Sequence, residues 1–468
     1  MKAGSNATAA RRTPWRDNIE ALVMAIVLAL LFKAYIVEAY KIPTGSMQPT
    51  LMGDAQNKVF DRILVDKLAY RVRDPERFEV VVFRYPLDRS KNFVKRLVGM
   101  PGEQLRIRHG DLWVRADENE EWRIVRRPAN VQTEHWKALD VNEPPSPRWV
   151  SVGAGADTWS FGPRSIDATG PGRARYGRDG APIVDDYFDG YPDALRPRGI
   201  SAHPRSRQYT VGDLRIEARV TARADANAIV LELTEGALSY RAHVPGPAAA
   251  ADARPWIESG PADRVRALPS ESVRREGDPF RLAAGDTTAL YFENLDDRLT
   301  LGTGGRTLVE LDIESASDQR ALAYLAVEGG GAQFEDVELA RDIFYSQGRE
   351  DVYTIPDEQY FMLGDNTQDS SDSREWSFVR YRMADGSIVR GNNRRAENPL
   401  FVTGDPRGPV VWLRDEWGET HHFNQRDAAV ESPIDAPFVD RSLVLGRALA
   451  VFWPIQPTRD IWRVKWVQ

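Results

Sequence analysis

The chain has no cysteine, which excludes disulfides, thiolate zinc sites and a thiol nucleophile, and leaves the compartment open because oxidising and reducing spaces both tolerate that absence. Histidine is scarce as well: six in 468 residues, none in an HExxH pattern, which argues against a metallohydrolase. There is no excess of positive charge. Lys plus Arg total 62 against 69 Asp plus Glu, a net charge of −7, so binding through phosphate neutralisation has no basis and no nucleic-acid partner is expected. Long apolar runs are also missing. The N-terminal one, Ala21 to Phe32, is twelve residues, short for a membrane span.

What is present reads as globular protein: 42% hydrophobic and 10% aromatic residues over a length that suits two or three domains. Lys2, Arg11, Arg12 and Arg16 precede the apolar run. If Glu20 and Lys33 snorkel, Ile19 to Val37 makes about 28 Å of helix, close to the ~30 Å of a bilayer core. The expectation is a transmembrane helix at 19–37, with residues 1–18 cytoplasmic and the remainder on the outer, periplasmic side of the inner membrane. A cleavable signal peptide ending at Val37-Glu38-Ala39 is the competing reading. It would leave Tyr40 as the new terminus, six residues from the serine discussed next.

That serine lies in "KIPTGSMQPTL", Lys41 to Leu51. Pro43 and Pro49 fix φ and Gly45 admits close backbone approach, so the stretch predicts a rigid, exposed turn presenting Ser46 as a candidate nucleophile. "DRILVDKLAY" and "FEVVVFRYP" are strand-like. In "FVKRLVGMPGE" a lysine, Lys95, sits in an apolar run, where a buried amine must be neutral or paired. The plain alternative is a strand whose Lys95 and Arg96 face water. Far downstream, "YFMLGDNTQDSSDSREWSFV" crowds Gly364, Asp365, Asn366, Ser370, Asp372 and Arg374 together. Turn chemistry explains Thr367 to Ser371, but not the Asp372 and Arg374 that follow.

In this order, "IPTGSMQPTL", "DRILVDKLAYRV", "EVVVFRYP", "FVKRLVGMPGE", "LGDNTQDSSDSREW" and "LVLGRALAVFWP" resemble type I signal peptidases, membrane-anchored Ser/Lys proteases. The resemblance covers roughly residues 15 to 140, 350 to 380 and 440 to 455. It implies Ser46 as nucleophile and Lys95 as general base. Thr44 stands where many members have a serine completing the oxyanion hole with the Ser46 N–H, and its hydroxyl can donate equally well. Ser370 matches the serine that orients the lysine, Asp372 with Arg374 a structural ion pair, and Tyr40, Ile42 and Val94 the lining of shallow pockets for small residues. The residue chemistry agrees: with no histidine in these motifs, lysine is the available base. Poising it near 7 to 8 from a reference near 10.4 takes about 4 kcal/mol, which desolvation can supply. Arginine cannot replace it.

About 240 residues separate "GDLWV" from "YTIPDEQYF", more than a connecting hairpin needs. After a linker-like "NEPPSPRW", runs such as "DLRIEARVTA" and "AIVLELTE" alternate with Gly and Asp turns and predict an antiparallel sandwich resembling a concanavalin-like jelly roll. The expected fold class is therefore mainly β: a transmembrane helix, a β-rich peptidase domain at 38–144 and 346–468, and a jelly-roll-like insert at 145–345. Residues 381–438 are polar and say little. The expected function is removal of signal peptides from secretory preproteins after small residues, in contact with membrane lipid, with no metal or cofactor. The insert would be a spacer, or would dock a protein or glycan. Two alternatives are a membrane-anchored carbohydrate- or protein-binding sandwich with a degenerate peptidase domain, and a self-cleaving Ser/Lys protease.

Overall fold

Branched and aromatic runs broken by Pro, Gly and Asp suit a pleated, half-buried surface, and strands dominate the chain. The computed structural model describes residues 14–55, 58–139, 149–177, 180–186, 189–191, 209–262, 272–316, 318–392, 400–457 and 461–468. Helix α1, Pro14–Tyr35, leads into an eight-stranded sheet. Seven of its strands are β1 Val37–Lys41, β2 Arg62–Asp66, β3 Val80–Tyr85, β4 Asp88–Gly99, β5 Gln359–Leu363, β6 Phe438–Asp440 and β7 Val444–Trp453. They run in the order β1-β2-β7-β3-β4-β5-β6, and Lys465–Trp466 adds beside β7. Strands from both ends of the sequence thus share one sheet. The second half of β4 is buried on both faces: Leu97 packs with Val81, Phe83 and Met362, whereas Val98 packs with Leu105, Ile107 and Phe361.

Between β4 and β5 the chain builds two further large antiparallel sheets, one of eight strands and one of seven. Along Leu214–Ala222 the residues Leu214, Ile216, Ala218, Val220 and Ala222 are buried, as period-two alternation requires. A single core joins them to Leu231, Tyr240 and Leu325 of the other sheet, which makes the pair a sandwich. The sandwich also takes a short strand from ahead of the expected 145 boundary, because Lys137–Ala138 pairs with Arg341 and Ala340. The "NEPPSPRW" linker, apart from Trp149, and the basic residues Lys2, Arg11 and Arg12 lie outside the described residues. The polar stretch 381–438 contributes to two small three-stranded sheets, one centred on Ser377–Met383 and one on Val410–Arg414.

The transmembrane span expected at 19–37 needs correction. Among the described residues no helix is long and apolar enough to cross a membrane. The reason lies at both ends of α1. Its first turns carry Arg16, Asp17, Asn18 and Glu20, and the helix stops at Tyr35. Val37, counted into the span from sequence, instead pairs with Asp66 at the start of β1. What is left from Ile19 is about 25 Å of helix, and the uninterrupted apolar part about 18 Å, against the ~30 Å required.

Candidate active site

The serine turn is held from below by its own backbone and from the side by the distant Asp/Asn motif. Gln48 N donates to Gly45 O (3.0 Å) and Leu51 N to Met47 O (2.8 Å). Asn366 then clamps the turn, its backbone N donating to Ser46 O (3.2 Å) and its Nδ2 to Gly45 O (3.0 Å). Gly364 is where the two motifs meet: a Cβ there would lie 2.1 Å from Ser370 Oγ and 2.4 Å from Ser46 O. No side chain fits in that space. Met47 and Leu51 anchor the turn in a core with Ile42, Ile63 and Val82, while Ser46 stays half-buried and Thr44 exposed.

Lys95 reaches the same place from β4. It is 2% exposed, opposite Val81 in the sheet, and its Nζ donates to Ser370 Oγ at 3.0 Å. A cleft of about 620 Å³ collects Ser46, Lys95, Ser370 and Thr44, and it is also lined by Tyr40, Ile42, Ile63, Val82 and Val94. All the expected catalytic, oxyanion and pocket residues therefore face one cleft. Asp372 and Arg374 stand beside it, paired through Nε–Oδ1 and Nη2–Oδ2 at 2.8 Å each. Asp372 Oδ2 also accepts from Gly364 N (3.0 Å), and Arg374 Nη1 donates to Ser346 Oγ (2.7 Å). Burial would raise the Asp372 carboxyl, but the Arg374 guanidinium outweighs it and holds the group below the ordinary range.

Arg96 does not face water. Its guanidinium, fully buried, forks onto Asp365 with two 2.8 Å bonds, Nε to Oδ1 and Nη2 to Oδ2, and its Nη1 donates to Phe78 O and Gln468 O. Desolvation opposes ionisation of Asp365, yet Arg96 keeps that carboxyl well below the usual carboxylate range. Behind it lie two groups that the sequence reading missed. His135, at the end of the helix Ala129–His135, is fully buried with Nε2 3.8 Å from Asp365 Oδ1, and burial together with Arg96 pushes its pKa down to about 4. Lys137, 3% exposed, is pushed down to about 7 by burial. Nothing in the local sequence marks either residue, since one His and one Lys in a polar run have many ordinary uses.

A buried amine bonded to one hydroxyl, in a cleft with a second hydroxyl on a clamped turn and no histidine among the cleft residues, offers the chemistry of a serine hydrolase whose base is lysine. The chain belongs to the signal peptidase, peptidase S26 family, whose profile matches residues 15–146 and 263–390. It is similar to the probable signal peptidase I-2 of Synechocystis sp., 37% identical over 121 residues that make up 25% of this chain and 52% of that protein. It is also similar to signal peptidase I of Pseudomonas aeruginosa, 40% identical over 93 residues, 17% of this chain and 31% of that one. The chain thus spans about half or less of the length of these two curated relatives. Among solved structures, a carbohydrate binding module from Bacillus subtilis aligns with a TM-score of 0.26 at 12% identity, over 41% of this chain and 95% of that one. A Bacillus licheniformis beta-glucanase aligns at 0.29 and 7%, over 45% and 100%.

Proposed function

We propose that the protein is a serine endopeptidase that removes signal peptides from secretory preproteins, with Ser46 as nucleophile and Lys95 as general base. The observation that carries this reading is the 3.0 Å bond from Lys95 Nζ to Ser370 Oγ in the cleft that also holds Ser46. Ser370 orients the amine through that bond, and the apolar side chains of Val82 and Val94 line the wall beside it. Neutral Lys95 takes the proton of the Ser46 hydroxyl as its oxygen attacks the scissile carbonyl. The Thr44 hydroxyl and the Ser46 N–H stabilise the resulting oxyanion. The lysine then hands the proton to the leaving amine, and water activated by the same lysine hydrolyses the ester.

Substrate binding follows from the same geometry. Among the described residues strand β1 ends its sheet, paired with β2 alone, and an extended preprotein segment can add along its other edge. The cleft wall of Tyr40, Ile42 and Val94 favours small apolar side chains before the cut. Exposed apolar residues on α1, including Leu22, Val23 and Leu28, and the exposed Trp462 and Trp466 support contact with membrane lipid.

The test is incubation of the full chain in detergent with a synthetic preprotein, followed by N-terminal mapping of the product. We expect a single cut after a small residue that disappears in Ser46→Ala. An uncleaved preprotein, or the same cut by Ser46→Ala, would overturn the reading.

A further inference from the structure

Away from the cleft, three carboxylates from distant parts of the chain converge where the peptidase half meets the sandwich. Asp111 opens the strand Asp111–Arg115, Asp213 directly precedes Leu214–Ala222, and Asp296 sits in the two-residue turn between Thr287–Leu295 and Arg298–Thr303. One carboxylate oxygen from each lies within 4.8 Å of the others. Oxygens no farther apart than that can share one cation, since two Ca–O distances of about 2.4 Å span ~4.8 Å.

Turn chemistry accounts for part of this. Asp296 and Asp297 have φ of 48° and 58°, the left-handed values that a two-residue hairpin turn demands and Asp tolerates. It does not account for where the Asp296 side chain goes. That residue is 2% exposed, and its Oδ2 is buried with no hydrogen-bond partner. A carboxylate so placed costs several kcal/mol unless a cation or proton meets it. The backbone of the turn is tied to the second carboxylate, with Asp296 N donating to Asp213 Oδ2 at 3.1 Å. On the same hairpin Asn294 Oδ1 is another buried acceptor without a donor, its Nδ2 donating to the carbonyl of Gly212 beside Asp213.

None of the three carboxylates forms an ion pair with a lysine or arginine among the described residues. Arg127 is taken by Asp342, and Arg126 donates to the Asp296 carbonyl and to Asp312 instead. Asp111 and Asp213 are only half-buried, which leaves an ion a way in.

We propose that Asp111, Asp213 and Asp296 bind a calcium ion that ties the sandwich insert to the peptidase hairpin. The ligand set is all oxygen, which suits a hard cation and excludes a zinc preference. Asp296 is buried with an unpaired carboxylate oxygen, and three carboxylates this close repel one another. A divalent ion relieves that cost. The other acidic group, Asp415 with Glu419 and His421, differs: Asp415 already accepts from His421 and from the Trp417 and Glu419 amides.

The test is calorimetric titration of the EDTA-stripped full chain with CaCl2, with thermal unfolding in parallel. Wild type should bind one ion with a Kd below about 1 mM and unfold at a higher temperature in its presence. Asp296→Asn and, at the more exposed position, Asp111→Asn should each weaken binding at least roughly tenfold and remove the thermal shift. Asp415→Asn should change neither. Absence of binding by wild type up to about 5 mM, full binding by Asp111→Asn, or loss of binding in Asp415→Asn would overturn the assignment.

Discussion

Replacing Asp365 with alanine removes the carboxylate that Arg96, the residue after the cleft lysine, forks onto. Both partners are fully buried, and the guanidinium keeps just two carbonyl partners, Phe78 O and Gln468 O, once the two 2.8 Å bonds are gone. Breaking a buried pair by deleting one partner leaves an uncompensated charge and costs about 3–5 kcal/mol. For a cooperative unit of the size of the peptidase sheets that corresponds to a fall of roughly 6–20 °C in the unfolding midpoint, at ~2–4 °C per kcal/mol. Removing both charges is different. An Arg96→Met, Asp365→Leu double variant has no orphaned ion and should recover most of the loss, because apolar replacement of a buried pair is often close to neutral. Thermal unfolding followed by tryptophan fluorescence measures this, with Trp376 packed in the neighbouring core as reporter. A midpoint loss under about 2 °C in Asp365→Ala, or a double variant no better than the sum of the singles, would refute the reasoning.

Gly364→Ala should lower kcat/KM by at least about a hundredfold, as ångström-scale misplacement of reacting groups does, since its Cβ would collide with Ser370 Oγ and Ser46 O; activity within twofold of wild type would contradict that packing. Lys137→Met should flatten the pH dependence of stability on the alkaline side. Burial lowers the folded pKa of Lys137 to about 7, so the unfolded chain binds the extra proton between about 7 and the reference near 10.4, and wild-type stability rises with pH across that window. Urea midpoints of the two proteins at pH 7 and 9.5 check the sign. Ser370→Ala should reduce kcat with little change in KM, because Ser370 positions the amine through its 3.0 Å bond; a rise in KM alone would place it in substrate binding instead.

How much of this was legible in the sequence depends on the range of the interaction. The Ser46 turn is written locally, in two prolines and a glycine, and the sandwich is written in alternation such as Leu214, Ile216, Ala218 and Val220. The membrane span was misread because hydropathy counting runs on through Val37, whereas strand pairing with Asp66 takes that residue into the sheet. Arg96 admitted a water-facing reading because period-two logic assumes one wet face, and β4 has none beyond Lys95. Its partner Asp365 is 269 residues away, and no local pattern encodes such a pairing. The same holds for Asn366 on Ser46, and for Asp111, Asp213 and Asp296, each of which reads alone as an ordinary turn or strand-end aspartate.

The central claim is that Ser46 and Lys95 act as one unit. Its most direct test is the single-turnover rate of preprotein cleavage by wild type, Ser46→Ala, Lys95→Ala and the double variant. Groups that act together lose function together, so each single variant should fall by at least about a thousandfold and the double variant should be no slower than either. A single variant within tenfold of wild type, or losses that multiply in the double variant, would contradict it.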